Sequence, residues 1–106
     1  MARRRVPAAA FAALGDETRL MLVARLCGGE PRSISQLTRG SRLTRQAITK
    51  HLRVLERARI VRSVRTGRES LFQFNPQPMK ELRDYLEFVS GQWDQALARL
   101  KSFVES

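Results

Sequence analysis

The chain is poor in the residues that form disulfides and metal sites. It has one cysteine, Cys27, and one histidine, His51, among 106 residues. A single cysteine cannot form an internal disulfide, so nothing in the sequence requires an oxidising compartment. Zinc and related ions favour thiolate and imidazole ligands, and these two side chains lie far apart in the sequence. We therefore expect no metal centre and no cofactor, and we interpret Cys27 as a small buried apolar residue.

Long apolar runs and catalytic motifs are absent as well. No run approaches the roughly 20 residues that a membrane-spanning helix needs. The arginines before residues 6–14 make this segment look like a signal peptide, but it continues into another helical pattern without a processing site. The sequence shows no paired carboxylates in a pocket-like context, no nucleophile with a histidine partner and no glycine-rich phosphate loop. These absences predict a cytoplasmic protein that is not an enzyme.

Acidic residues are scarce relative to basic ones. The chain has 20 Lys and Arg against 10 Asp and Glu, which gives a formal net charge of +10. The excess is concentrated in residues 41–70, which carry nine basic and two acidic side chains, whereas residues 71–106 carry four and five. This asymmetry favours a polyanionic partner, either nucleic acid or an anionic membrane surface, over general solubilising charge.

The length and composition fit one domain, residues 1–106, with a single core. Residues 1–6 are expected to form a flexible basic tail, and residues 8–14 a first helix. Asp16 is the expected N-cap of a second helix that runs to about residue 26. The inward face of this helix is predicted to hold Leu20, Val23 or Ala24, and Cys27.

Residues 43–61 are read as an amphipathic helix that Thr44 caps. Ile48, Leu52 and Leu55 recur at i, i+4 and i+7 and form an apolar stripe. The polar stripe on the other side consists of Gln46, Thr49, Lys50, Arg53 and Arg57. Long cations mixed with short hydrogen-bonding groups suit phosphates and base edges. On an isolated helix such a stripe is more often a solvated face, so the neighbouring segments must decide.

The segments around this helix favour a functional meaning for the polar stripe. A short third helix over residues 33–39 and a turn at Gly40 precede it, which gives the helix-turn-helix pattern with a basic second helix. Residues 61–65 and 70–74 predict a β-hairpin directly after it, so that the motif and hairpin together span residues 16–74. The cations of the hairpin are Arg62, Arg65 and Arg68. We interpret the hairpin as a basic wing that contacts phosphates or the minor groove.

The C-terminal residues 79–104 predict one long helix with a heptad seam. Apolar residues recur there in alternating steps of four and three: Leu82, Leu86, Val89, Trp93, Ala96, Leu100 and Phe103. At 1.5 Å per residue this helix would be about 39 Å long, which exceeds what a small domain can cover. We therefore expect part of the seam to bury against another subunit.

Four strings carry a family resemblance. They are LGDETRL at residues 14–20, ITKHLRVL at residues 48–55, IV at residues 60–61 before the wing, and GR at residues 67–68 in its turn. In these strings the chain resembles the ArsR/SmtB family of winged helix-turn-helix transcriptional repressors. The resemblance implies a mainly α fold with a small β-hairpin, in the order ααααββα, and a homodimer formed by the first and last helices. It also implies repression by occupying an operator in double-stranded DNA.

The resemblance further implies two sets of functional residues. The DNA-binding set lies on the basic helix and the wing: Arg45, Gln46, Thr49, Lys50, His51, Arg53, Arg57, Arg62, Arg65 and Arg68. The dimer-interface set lies on the terminal helices: Phe11, Leu14, Leu82, Leu86, Val89, Trp93, Leu97, Leu100 and Phe103. His51 stands at the family's Ser-x-His-Leu position, with Thr49 in place of the serine. We interpret this histidine as a packing or phosphate-contact residue rather than a metal ligand or a catalyst.

One departure from the family pattern bears on regulation. Many metal-sensing relatives place a Cys-x-Cys pair in the third helix, where this chain has Ser33-Ile34-Ser35, and the last helix contains no histidine. The main hypothesis is therefore a homodimeric repressor of an inverted-repeat operator that does not respond to metals, with a small-molecule effector left open. The alternative is a winged-helix interaction module that binds an acidic protein partner.

Overall fold

The computed structural model describes residues 7–105. The tail predicted at residues 1–6 lies outside the described residues. The elements in chain order are α1 (Ala8–Leu14), α2 (Glu17–Leu26), β1 (Arg32–Ser33), α3 (Ile34–Thr38), α4 (Arg45–Arg57), β2 (Val61–Thr66), β3 (Glu69–Phe74) and α5 (Gln77–Glu105). The expected mainly helical fold with a small antiparallel sheet is confirmed, with one strand, β1, that the sequence reading missed.

The wing is part of a three-stranded antiparallel sheet in the order β1-β3-β2. Thr66 pairs with Glu69 across a two-residue turn, and Gly67 adopts φ +63° there, which a residue with a Cβ adopts only with strain. Arg32 in β1 pairs with Phe72 in the middle of β3. Strand β1 is only two residues long, too short for an alternating pattern to reveal it. Its pairing attaches the start of α3 to the wing.

Each of three helices begins at a side-chain cap. The Asp16 carboxylate accepts the Arg19 backbone N–H at 3.0 Å, and the Thr44 hydroxyl oxygen accepts the Ala47 N–H at 3.1 Å, so both predicted N-caps are confirmed. At α3 the cap is reciprocal. The Ser33 hydroxyl oxygen accepts the Gln36 N–H at 3.1 Å, and the Gln36 side-chain oxygen accepts the Ser33 N–H at 2.9 Å.

A single apolar core fixes the orientation of α4. The predicted apolar stripe is confirmed, because Ile48, Leu52 and Leu55 are all fully buried. They pack in one cluster with buried residues from the other elements: Leu22, Leu26, Leu37, Ile60, Val61, Phe72 and Leu82. Since this side of α4 faces the core, its polar side must face outward.

The predicted inward face of α2 is wrong in part. Leu20, Ala24 and Cys27 are exposed. The buried residues of α2 are Leu22, Val23 and Leu26. Residues 20–24 are apolar on every side, so their periodicity could not select the face that the other helices cover. Cys27 follows the last residue of the helix and lies in a turn, where no neighbouring element covers it.

Helix α4 ends at Arg57, earlier than the predicted segment, because a tight C-terminal turn follows. Arg59 adopts φ +64°, its N–H donates to the Glu56 carbonyl at 2.9 Å, and the Ile60 N–H donates to the Leu55 carbonyl at 3.0 Å. This pair of bonds is the Schellman motif, which usually has glycine at the left-handed position. An arginine there stores local backbone strain.

Replacing Arg59 with glycine is therefore expected to raise the free energy of unfolding by about 0.5–1 kcal/mol. The measurement is urea unfolding at neutral pH. Arg59→Ala is the matched control, since it removes the same positive charge but retains the strained Cβ, and it should gain less than the glycine variant. A glycine variant no more stable than the alanine variant would contradict the strain at this turn.

Candidate nucleic-acid interface

The outward side of α4 presents the predicted polar stripe as one continuous surface. Gln46, Lys50, Arg53 and Arg57 are exposed, and Thr49 is half-buried beside them. Arg45, in the first turn of α4, is also exposed and flanks the stripe. The structure thus brings together six of the residues assigned to DNA contact on a single face of one helix.

Thr49 uses its hydroxyl proton inside the helix. Its Oγ1–H donates to the Arg45 carbonyl oxygen at 2.7 Å. A hydroxyl committed in this way keeps its oxygen lone pairs and its methyl group for an outside partner. Thr49 can therefore accept a hydrogen bond from a base amino group or contact a thymine methyl, but it cannot also donate.

Arg53 differs from the other cations of the stripe, because Glu56 neutralises it. The Arg53 guanidinium lies 3.1 Å from one carboxylate oxygen of Glu56, and the Ser63 hydroxyl donates to the other at 2.6 Å. The Ser63 hydroxyl and then the Arg53 guanidinium hold the pKa of the Glu56 carboxyl below its usual value, against an opposing effect of burial. Glu56 thereby connects the recognition helix α4 to strand β2 of the wing.

This connection predicts a pH-dependent loss in the variant Glu56→Gln. A lowered pKa means that the carboxylate adds stability above its ordinary titration range, and that this stability is lost as the pH falls through the lowered pKa. Because Glu56 is partly exposed, we expect the variant to lose only about 0.5–1 kcal/mol of unfolding free energy at pH 7. The difference from the parent protein should vanish in acid. Urea unfolding between pH 7 and pH 3 measures it.

Glu69→Gln is the matched control for that experiment. Glu69 is exposed beside the wing turn and contacts neither Arg53 nor Ser63, so its replacement changes the net charge by the same amount. If both variants lose equal stability at pH 7, the effect belongs to net charge and the Glu56 connection is unsupported.

The wing carries its predicted arginines at two different places. Arg65 and Arg68 lie at and beside the tip, and both are exposed without a carboxylate partner within residues 7–105. Arg62 lies at the base of the wing, where its Nε donates to the Gln73 side-chain oxygen at 3.2 Å. The tip thus extends the cationic surface of α4, while Arg62 faces a different region near α5.

His51 faces away from the polar stripe. Its ring is half-buried, with Nδ1 3.7 Å from an Asp16 carboxylate oxygen and 3.4 Å from a guanidinium nitrogen of Arg19. Arg19 also donates through Nε to the Ala13 carbonyl at 2.5 Å. The Arg19 backbone N–H, the largest cause, holds the pKa of Asp16 below its usual value. The histidine is thus placed to join α1, α2 and α4, away from the DNA-facing side.

Two cations beside α4 were missing from the predicted set. Arg42 lies in the turn before α4 and Arg59 in the turn after it, and both are exposed. The charge count over residues 41–70 already included them, and that count was the available signal. Helical periodicity could not select them, since neither residue belongs to the helix.

A second surface, on α5, is apolar and exposed. The helix has 29 residues, a length of about 43 Å, and only Pro78 and Leu82 are buried. The exposed large apolar residues of α5 are Leu86, Phe88, Val89, Trp93, Leu97, Leu100, Phe103 and Val104. Soluble monomers rarely expose so contiguous an apolar surface. The overall shape is also long, with a radius of gyration of 18.5 Å against about 13 Å for a compact chain of this size.

The other members of the predicted dimer interface are less exposed. Leu82 is 5% exposed and packs in the core of its own chain, so it lies beneath the surface rather than on it. Phe11 and Leu14 of α1 are half-buried at the edge of the core. The Phe11 ring meets the Tyr85 ring edge to face, with centroids 5.7 Å apart, and this contact joins α1 to α5.

Searches for other kinds of site give two findings for residues 7–105. That range contains no group of three or more His, Cys, Asp or Glu side chains arranged to hold a metal ion. None of its helices is both long enough and apolar enough to cross a membrane.

The fold and the cationic surface together define a winged helix-turn-helix protein. Helices α3 and α4, joined by a turn, lie beside α2, and the basic hairpin follows. The profile of a helix-turn-helix domain family matches residues 14–64. The HTH-type transcriptional regulator Rv2034 of Mycobacterium tuberculosis is 33% identical over 106 residues, which cover 100% of this chain and 95% of that protein.

Solved structures agree with this class. An ArsR-like transcriptional regulator from Rhodococcus sp. RHA1 superposes with a TM-score of 0.78 and 36% identity, over 92% of this chain and 91% of that one. The homodimeric winged helix-turn-helix DNA-binding domain of Mb0332 from Mycobacterium bovis, a possible ArsR-family regulator, gives a TM-score of 0.63 at 18% identity, over 80% and 78%. The chain belongs to the ArsR family of winged helix-turn-helix transcriptional regulators. It is a DNA-binding regulator and not an enzyme.

Proposed function

We propose that the protein is a sequence-specific repressor that binds an inverted-repeat operator as a homodimer and does not respond to metals. The observation that carries this proposal is the outward face of α4. Arg45, Lys50 and Arg57 are exposed there, and no carboxylate within residues 7–105 pairs with them. Unpaired cations on a helix held rigidly by a buried opposite side suit the major groove of double-stranded DNA. A regulator of a bacterial operator acts in the cytoplasm.

The contacts divide by chemistry. Lys50 and Arg57, with Arg65 and Arg68 of the wing, would neutralise phosphates and set the register on the duplex. Gln46 would read base edges, since its amide both donates and accepts. Thr49 would add a methyl contact or an acceptor, as its hydroxyl proton is already used. Arg53 would contribute less to phosphate binding, because Glu56 balances its charge.

Dimerisation supplies the second half-site. The exposed apolar surface of α5 needs a cover, and a second copy provides a matching one by two-fold symmetry. The homodimeric state of the Mb0332 domain supports the same assembly here. Such a dimer would place two recognition helices about 34 Å apart, which is one turn of DNA.

Independence from metals is supported by the chemistry of α3. At the position of the relatives' Cys-x-Cys pair, the Ser33 hydroxyl caps the helix and is 8% exposed, while Ser35 is exposed. Neutral hydroxyls are poor substitutes for the thiolates that soft metal ions prefer. The capping bond also gives Ser33 a structural role that needs no ion.

Selection of bound duplexes from a random pool tests the proposed function. We expect enrichment of an imperfect inverted repeat whose half-sites lie one helical turn apart. Binding to that site should weaken as salt increases, since cations that neutralise phosphates release counterions. No enriched sequence, or an affinity insensitive to salt, would overturn the proposal. Tight binding to an acidic protein with no enriched duplex would instead support an interaction module.

A further inference from the structure

Two adjoining grooves lie along the first half of α5 and form one trough. The first, of about 780 Å³, lies between the base of the wing and the start of α5, and its cations are Arg62, Lys80 and Arg83. The second, of about 540 Å³, lies between α1 and α5. Met79 and Arg83 line both grooves, so the two meet at these side chains. Each volume is in the range of small-molecule sites.

The first end of the trough is positively charged. No Asp or Glu lines it, and Lys80 and Arg83 have no ion pair among residues 7–105. Arg62 uses only Nε, in its bond to Gln73, which leaves its two terminal nitrogens available as donors. The amide side chains of Asn75 and Gln77 add polar groups to this end. Converging cations without a counter-charge favour an anionic group.

The second end of the trough is apolar. Its exposed lining consists of carbon surface, from Phe11, Leu14, Leu82 and Leu86, and Glu87 stands at its edge. Nucleic acid gains nothing from such a surface, so the trough is not an extension of the DNA-binding face. A ligand that uses both ends must combine one anionic group with an apolar chain.

We propose that this trough binds an amphipathic carboxylate and that this molecule is the effector of the regulator. The carboxylate head lies among Arg62, Lys80 and Arg83, and the chain lies along Leu82 and Leu86. This inference rests on the proposed function, because an effector needs a repressor to regulate. Leu14 and Leu86 also belong to the proposed dimer interface, so the ligand and the second copy compete for one surface. By linkage, ligand binding then lowers operator affinity.

Direct binding of decanoate to the full chain without DNA, by titration calorimetry below its micelle concentration, tests the site. We expect affinity to rise up to about fourfold for each added CH₂ from hexanoate to decanoate. Decanol and decyltrimethylammonium, which keep the chain but lack the anion, should bind at least tenfold more weakly. Equal binding of decanol and decanoate would overturn the proposal, and so would binding to phospholipid vesicles alone.

A pair of exposed variants locates the head group. Lys80→Gln with Arg83→Gln should weaken decanoate at least tenfold and leave operator affinity unchanged, whereas decanoate should no longer release that variant from the operator. Arg99→Gln with Lys101→Gln, farther along α5, removes the same charge and should leave decanoate binding unchanged. If both pairs lose decanoate equally, the trough is not the site. Because decanoate binding is read without DNA, a chain that binds decanoate but no operator would overturn only the repressor function.

Discussion

Replacing Lys50 and Arg57 together with alanine is expected to lower operator affinity roughly a hundredfold near physiological salt, because charged hydrogen bonds contribute about 1.5–3 kcal/mol each. Both side chains are exposed on α4 and unpaired within residues 7–105. The loss should be uniform across related sequences, since phosphates carry no sequence information. The plot of log affinity against log salt concentration should flatten by about two, one for each lost phosphate contact. Fluorescence anisotropy with the selected operator at four salt concentrations measures both effects.

The matched control uses the cation that the structure sets apart. Arg53→Ala combined with Glu56→Gln removes a bound ion pair and leaves the net charge unchanged, so the salt dependence should stay nearly as steep as in the parent protein. Gln46→Ala should instead change which base is preferred while keeping the slope. Flattening by the control equal to that of the test variant would show that Arg53 anchors phosphates after all.

The polar face of α4 could be predicted because it depends on one helix alone. A period of 3.6 residues assigns Gln46, Lys50 and Arg57 to the side opposite the apolar stripe, whatever packs around it. The different role of Arg53 could not be predicted in this way. It depends on Ser63, a strand residue that approaches Glu56 only through tertiary packing.

The same distinction explains the errors in α2 and the missing strand. In α2 the apolar residues surround the helix, so its buried side is decided by where α1 and α4 lie and not by its own pattern. Strand β1 exists only because Arg32 and Ser33 pair with β3, some forty residues later in the chain. Cys27 was read by residue type, whereas its exposure follows from its place just beyond the end of a helix.

Asn75 connects the DNA-binding helix to the proposed dimer helix. Its side-chain N–H donates to the Arg59 carbonyl at 2.8 Å, and its backbone N–H donates to the Ile60 carbonyl at 2.9 Å, so it holds the turn that ends α4. Two residues later α5 begins. The position of α5 in a dimer is therefore passed to α4 through one short, hydrogen-bonded junction. The spacing of two recognition helices should depend on how the two α5 helices pack.

Replacing Leu97 and Leu100 together with glutamate is accordingly expected to convert the dimer to a monomer. Both are exposed in the single chain, at 46% and 59%, so the fold of each protomer should persist. In a dimer interface the four added carboxylates would be buried without partners, which costs several kcal/mol. Sedimentation velocity measures the oligomeric state, and circular dichroism checks that the helical content is kept. Arg99→Glu is the matched control, because it shifts the net charge by the same two units between the two replaced positions.

The monomer should lose most of its affinity for the full operator and little for an isolated half-site. Two linked half-site contacts raise affinity by a factor of about 10² to 10⁴ over one, through effective concentration. A drop of at least a hundredfold on the inverted repeat, with half-site binding unchanged, would show that α5 contributes through assembly and not through contact with DNA. A variant that stays dimeric, or a monomer that keeps full operator affinity, would place the subunit interface elsewhere. The uncovered apolar face of α5 would then need a different partner.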